Sequence, residues 1–102
     1  MTKTNTAYDL YLDEMQRAMR MRETFVPPHM RGPLMLWITK AIEPGSFGMA
    51  VIRNDLVNAL LKADSINRQH LVTIVTWMID YAPSQCWMDE ESIKSWKGYD
   101  AR

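Results

Sequence analysis

Arg53-Asn54-Asp55, with Asn58 one turn further on, is the densest group of polar side chains in a stretch, Met49 to Ala63, that is otherwise almost wholly apolar. Asn54 and Asn58 are four residues apart and fall on one side of a helix. Two amides beside a guanidinium can read a base edge or bond a partner's backbone; equally, the amides can tie down neighbouring loops while Arg53 pairs with a carboxylate. The turn Pro44-Gly45-Ser46-Phe47-Gly48 is a second candidate. Backbone amides at the start of the helix that follows it suit a phosphate or carboxylate, with Arg31 or Arg53 as a further contact. Tight backbone geometry explains the glycines as well, and the chain has neither the Lys-Ser/Thr pair of a P-loop nor a strand leading into a dinucleotide fingerprint.

Other reactive residue types are sparse. His29 and His70 have no companion nucleophile, so packing or hydrogen bonding is expected of them rather than catalysis or metal binding. Cys86 is the one cysteine, which excludes an internal disulfide and offers no zinc-ligand spacing. With no adjoining Arg, Lys or His to activate it, it reads as a small buried thiol. No enzyme activity, cofactor or metal is expected. Recognition remains. Four tryptophans are many for 102 residues; most belong in a core, and an exposed one would anchor an interface. The partner- or ligand-binding residues expected on these grounds are His29, Arg31, Gly45, Ser46, Phe47, Arg53, Asn54, Asn58 and Trp87.

A content of 47% hydrophobic and 24% charged residues fits a single domain over residues 1–102. No apolar run reaches 18 residues and the N-terminus Met-Thr-Lys-Thr-Asn-Thr lacks an apolar stretch, so a cytoplasmic protein with no membrane span and no signal segment is expected. Twelve basic residues balance twelve acidic ones, which counts against nucleic acid as partner. The balance is uneven along the chain. Arg17, Arg20, Arg22 and Arg31 face only Glu23, whereas Asp80, Asp89, Glu90, Glu91 and Asp100 outnumber Lys94 and Lys97. Such blocks can complement each other within one molecule or across a homodimer.

These residues must be positioned by helices. Residues 1–5 are expected to fray; Thr6 and Asp9 then resemble a capping box opening an amphipathic helix to Arg22, with Tyr8, Tyr11, Leu12, Met15, Ala18 and Met19 on one side. That helix is expected at the periphery or in an oligomer contact. Pro27-Pro28 breaks the chain, and Gly32-Pro33 opens a short buried helix, Leu34 to Ile42. After Glu43-Pro44-Gly45, Ser46 is placed to cap the helix Met49 to Ala63, whose two apolar stripes make it central. Asp64 and Ser65 cap a last long helix, Ile66 to about Tyr81, burying Leu71, Ile74, Val75, Met78 and Ile79 and exposing Gln69, Thr73, Thr76 and Asp80. Ala82 to Trp87 is a loop, and Asp89 caps a short helix that turns Ile93 and Trp96 inward and ends at Gly98. The fold class expected is all-α: a compact bundle of four main helices plus a short C-terminal one.

Val26-Pro27-Pro28-His29-Met30-Arg31-Gly32, then Pro44-Gly45-Ser46-Phe47, Ala50-Val51, Asn54-Asp55-Leu56, Ala63-Asp64, Ala82-Pro83 and Cys86-Trp87, together resemble a family of small, largely uncharacterised helical proteins of phages and prophages. In that family Pro-Gly-Gly-Phe, Asn-Asp-Leu and Ala-Asp pieces recur in this order. The resemblance covers about residues 25–97; Ser46 stands in place of the second glycine and Met88-Asp89 in place of Gly-Ser. It implies a phage accessory setting and no activity that transfers to particular residues. The expectation is a non-catalytic phage accessory protein that binds a host bacterial protein, as a takeover factor or counter-defence inhibitor. The alternatives are a binder of a small ligand, such as a sponge for a nucleotide signal, and a nucleic-acid-binding regulator using Arg17 to Arg31.

Overall fold

A computed structural model describes residues 7–101, and over that range all the regular structure is helical, with no strand. Seven α-helices are formed, α1 (Ala7–Ala18), α2 (Pro28–Lys40), α3 (Ser46–Ile52), α4 (Leu56–Lys62), α5 (Ser65–Gln69), α6 (Leu71–Tyr81) and α7 (Glu90–Ser95), with 3-10 turns at Ser84–Cys86 and Tyr99–Ala101. The expected frayed end and the cap at Thr6 lie outside the described residues.

The all-α class holds, but the division into four main helices and one short one does not. The first helix stops at Ala18 rather than Arg22, because the Thr24 hydroxyl folds back and donates to the Ala18 carbonyl at 2.5 Å. That hydroxyl satisfies an acceptor which a further helical turn would otherwise have used. The second helix begins at Pro28 instead of Gly32-Pro33. Pro28 takes the first helical position, where a missing N–H costs nothing, and Pro33 sits inside the helix at the loss of one ladder bond.

The two longest helices expected are each split. Met49 to Ala63 becomes α3 and α4, because Asn54 adopts the left-handed conformation with φ 63° and Asp55 starts a new helix. Ile66 to Tyr81 becomes α5 and α6, with a break at His70, whose φ/ψ of −110° and 17° lie outside the helical range. Asp64 and Asp89 cap α5 and α7 as their positions suggest, accepting from the amides of Asn67 and Ser92. The Ser92 amide is the first cause that holds the Asp89 carboxyl below its ordinary pKa. Ser46 is the first residue of α3 and makes no cap bond; Gly45 precedes it with φ 100°.

The body measures 48 × 31 × 19 Å. Its thin dimension accommodates two helix layers of about 10 Å each, so helices are left with one side toward solvent. Trp77 of α6 is fully buried and lies at the centre with Met15 and Met19 of the N-terminal segment, Ile38 of α2, Ile52 of α3 and Ile74. α1 packs on α6, and the Tyr11 hydroxyl donates to the Tyr81 carbonyl at 2.8 Å. Burial is the main cause that raises the Tyr11 pKa to about 12. α3, all of it buried except Ser46, supplies the floor on which α4 lies.

The C-terminal 3-10 turn closes onto α2. Gly98 makes this possible: a Cβ there would stand 2.4 Å from the Thr39 carbonyl oxygen, and its φ of 95° disfavours any L side chain. At the same end of α2, Ala41 ends the helix in the left-handed region with φ 59°, its amide bonded to the Trp37 carbonyl. The two sites predict opposite outcomes in chemical denaturation. Ala41→Gly should raise stability by about 1 kcal/mol, since glycine occupies the left-handed cap without strain. Gly98→Ala should lower it by about 1–3 kcal/mol, since strain and a backbone clash coincide.

Candidate binding surface

The polar group at the α3–α4 joint is built by one stop and one start. Asn54, in the left-handed conformation, donates its amide to Val51, and the Asp55 amide reaches back to Ala50 at 2.8 Å, the bond pair of a Schellman stop. Asp55 then accepts from the Asn58 amide at 3.3 Å and from its side-chain nitrogen at 2.7 Å, which caps α4. The Asn54 side chain donates to the Trp87 carbonyl at 3.0 Å, and Arg53 lies 3.9 Å from Glu90. Asn54, Arg53 and Trp87 thus come together where the joint meets the C-terminal segment. Trp87 is half-buried, and its indole N–H is enclosed with no acceptor in reach.

On the other side of the joint, Ser46, Arg53 and Asn58 line one depression of about 220 Å³ with Met49, Ala50, Asp55 and Lys62. Three of the expected residues therefore share a concavity, and Lys62, unremarked in the sequence, joins them. Phe47 does not take part: it is 6% exposed and belongs to the core. Gly45 is exposed at the turn leading into α3.

Arg31 and His29 form a separate edge. The Arg31 Nε donates to the Val26 carbonyl at 2.7 Å, with the guanidinium 5.2 Å from the centre of the Phe25 ring, so that side chain is occupied in holding the turn before α2. His29 Nε2 stands 3.5 Å from the Asp64 carboxylate, both half-exposed or more. Of the two arginines offered as a further contact for the turn before α3, Arg53 lines the depression beside Ser46, whereas Arg31 is held at the turn before α2.

Exposed apolar surface is the feature that sequence reasoning missed. α4 was expected at the centre with two apolar faces, yet only its Ala59 is fully buried, and Val57 and Leu61 are 69% and 72% exposed. On α6, Leu71, Ile74 and Met78 are buried as expected, but Val75 is only half-buried, Ile79 is 58% exposed and Val72 is 77% exposed. Thr73 and Thr76, expected outside, are half-buried because their hydroxyls bond carbonyls, Thr73 to Phe25 and His70 and Thr76 to Val72. The signal was available in part: Asn-Asp within an apolar run is a stop followed by a cap, and a seven-residue helix cannot bury two faces in a two-layer body.

A wider open cleft of about 630 Å³ is lined by Ala7, Tyr8, Tyr11, Tyr99 and Asp100. Its polar groups are engaged with each other: the Tyr8 hydroxyl donates to Asp100, whose carboxylate also pairs with Lys40 at 2.8 Å. Among the described residues no group of three or more His, Cys, Asp or Glu side chains is placed to hold a metal ion. No helix among them is long and apolar enough to cross a membrane.

Cys86, beside Trp87, is buried, and that burial raises its pKa from 9.0 to about 12. Its carbonyl accepts the Trp37 indole N–H at 3.1 Å. Because the folded pKa lies above the unfolded one, the neutral thiol contributes stability that is full below pH 9 and is lost as pH rises toward 12. Labelling with an aromatic disulfide at pH 8 should therefore be at least about a hundredfold slower in the native protein than in denaturant.

Protein-family models, curated proteins and solved structures yield no match to this chain.

Proposed function

We propose that the protein is a non-catalytic binding module, a phage accessory protein whose α4 surface engages a host bacterial protein. The observation that carries this reading is the outer face of α4. Val57 and Leu61 stand one turn apart and more than two-thirds exposed, with Arg53, Asn58 and Lys62 on the same short helix or just before it. Apolar anchors beside hydrogen-bonding groups form the usual centre and rim of a protein interface. Holding them outside the core has no return within this fold. The resemblance of residues 25–97 to phage proteins supplies the host as the source of the partner.

The test is capture from nuclease-treated bacterial lysate with the tagged protein, beside a Val57→Asp, Leu61→Asp variant checked for native helicity. One host protein recovered in near-stoichiometric amount by the wild type, and reduced at least about tenfold by the variant, is the expected result. Equal recovery by both would remove α4 from the account.

The depression formed by Ser46, Arg53, Asn58 and Lys62 favours a second reading, a small anionic ligand of the nucleotide type. Two cations and two hydrogen-bonding side chains converge there, although Asp55 lines it too and subtracts from the positive field. A thermal-shift panel of nucleotides decides it. A ligand held at 100 times its dissociation constant adds about 2.7 kcal/mol, so a binder raises the melting temperature by several degrees, and Arg53→Ala should abolish the rise. A flat panel rejects this reading.

A further inference from the structure

A third cleft, formed by the 3-10 turn at Gln85, by α7 and by the segment after it, differs from those at Tyr8 and at Asp55 in that most of its polar side chains are not occupied with each other. Its volume is about 460 Å³, inside the range of about 300–1,000 Å³ that small-molecule sites span, and Gln85, Glu91, Ser95, Trp96, Lys97 and Gly98 line it. Among the described residues, the side chains of Gln85, Glu91, Ser95 and Lys97 make no hydrogen bond or ion pair.

Two sides of the cleft are fastened to Trp37. Its indole N–H donates to the Cys86 carbonyl at 3.1 Å, which holds the turn bearing Gln85, and its carbonyl accepts the Trp96 indole N–H at 2.8 Å. Trp96 also stacks on Tyr99, with ring centres 6.2 Å and planes 30° apart, so its ring is a fixed surface. Gly98 stands so close to the Thr39 carbonyl that no side chain fits there, which pins the backbone next to Lys97. A ligand entering here orders little of the protein's backbone.

We propose that this cleft binds a small zwitterion of the betaine class, an alkylated ammonium joined to a carboxylate, with the ammonium at Glu91 and the Trp96 ring and the carboxylate at Lys97. Charge selects it. Glu91 stands in the first turn of α7 and Lys97 two residues past its end, and the two do not pair, so a ligand meets one free charge of each sign. A neutral sugar or an apolar molecule would desolvate both charges and match neither, and a phosphate would gain Lys97 but stand against Glu91. A zwitterion matches both. The indole ring favours an alkylated cation, because its quadrupole attracts the charge while the alkyl surface leaves water. Gln85 and Ser95 add donors for the carboxylate, and bonds to a charged acceptor are the stronger kind. The cleft shares no residue with α4, so the inference stands whether or not a host partner exists.

Titration of the isotope-labelled full chain with glycine betaine to about 200 mM, followed by amide and indole NMR, tests it. Choline and acetate serve as probes that each carry one of the two charges. The expected result is a saturable shift of the Trp96 indole N–H and of the Gln85 and Ser95 amides with a millimolar dissociation constant, and choline and acetate each about threefold weaker or more. Glu91→Gln should weaken betaine and choline about threefold without weakening acetate, and Lys97→Met should weaken betaine and acetate about threefold without weakening choline. Both positions are exposed, so native helicity is retained in either variant. No saturable shift with betaine would overturn the proposal, as would choline or acetate binding as tightly as betaine. Betaine binding indifferent to Glu91→Gln combined with Lys97→Met would overturn it as well.

Discussion

Indole N–H groups drawn into a core favour acceptors, and in this protein those of Trp37, Trp77 and Trp96, though not that of Trp87, find carbonyls that tie together segments far apart in sequence. Trp77 donates to the Met15 carbonyl at 2.9 Å, fixing α1 against α6. Trp37 donates to Cys86, and its own carbonyl receives Trp96 at 2.8 Å, so one residue of α2 fastens both the 3-10 turn and the segment after α7. An unpaired buried donor costs about 1–3 kcal/mol, and large aromatic rings supply much of a small core's apolar area. The bonds therefore decide which loops lie where. A loop that drifted from its tryptophan would leave a donor stranded.

That dependence explains the arrangement of the joint between α3 and α4. Its Asn54 side-chain nitrogen donates to the Trp87 carbonyl, one residue from the carbonyl held by Trp37. The polar cluster is thereby referred to the core through a single short connection. Its side chains are for the most part occupied by caps and ties, which leaves the depression around Lys62 and the outer face of α4 as the parts of the neighbourhood open to other molecules.

Much of the helical content was legible because it follows from local chemistry. Asp64 and Asp89 announce their helices by capping, and the three- and four-residue spacing of Tyr11, Met15 and Ala18 gives α1 and its buried side. The helix breaks were less legible. Asn54 and His70 sit within apolar runs whose periodicity continues past them, and periodicity registers a face but not an interruption of one turn. Thr24 ends α1 by a bond across six residues, and Ala41 takes a left-handed cap that glycine would have signalled. Burial was the least legible property. Leu61 and Ile79 read as core by type, and only the thinness of the assembled body shows that no layer remains to cover them. Of the site residues, Ser46, Arg53 and Asn58 converge, whereas Phe47, expected for its place in the turn before the helix, turns its ring into the core.

α4 is fastened to the body along α3, yet only one of its side chains, Ala59, is fully buried, with Leu60 half-buried, a cap at Asp55, and the guanidinium of Arg68 on its Leu60 carbonyl. α2 and α6, by contrast, each set a tryptophan into the interior. Stability is shared unequally in such a molecule, and a weakly anchored helix opens far more often than the whole chain unfolds. α4 holds a small share of the interior, and its backbone amides exchange with solvent sooner than those of α2 or α6 wherever local opening follows local burial. A molecule that grips α4 therefore spends part of what it gains in contact on ordering its own binding site.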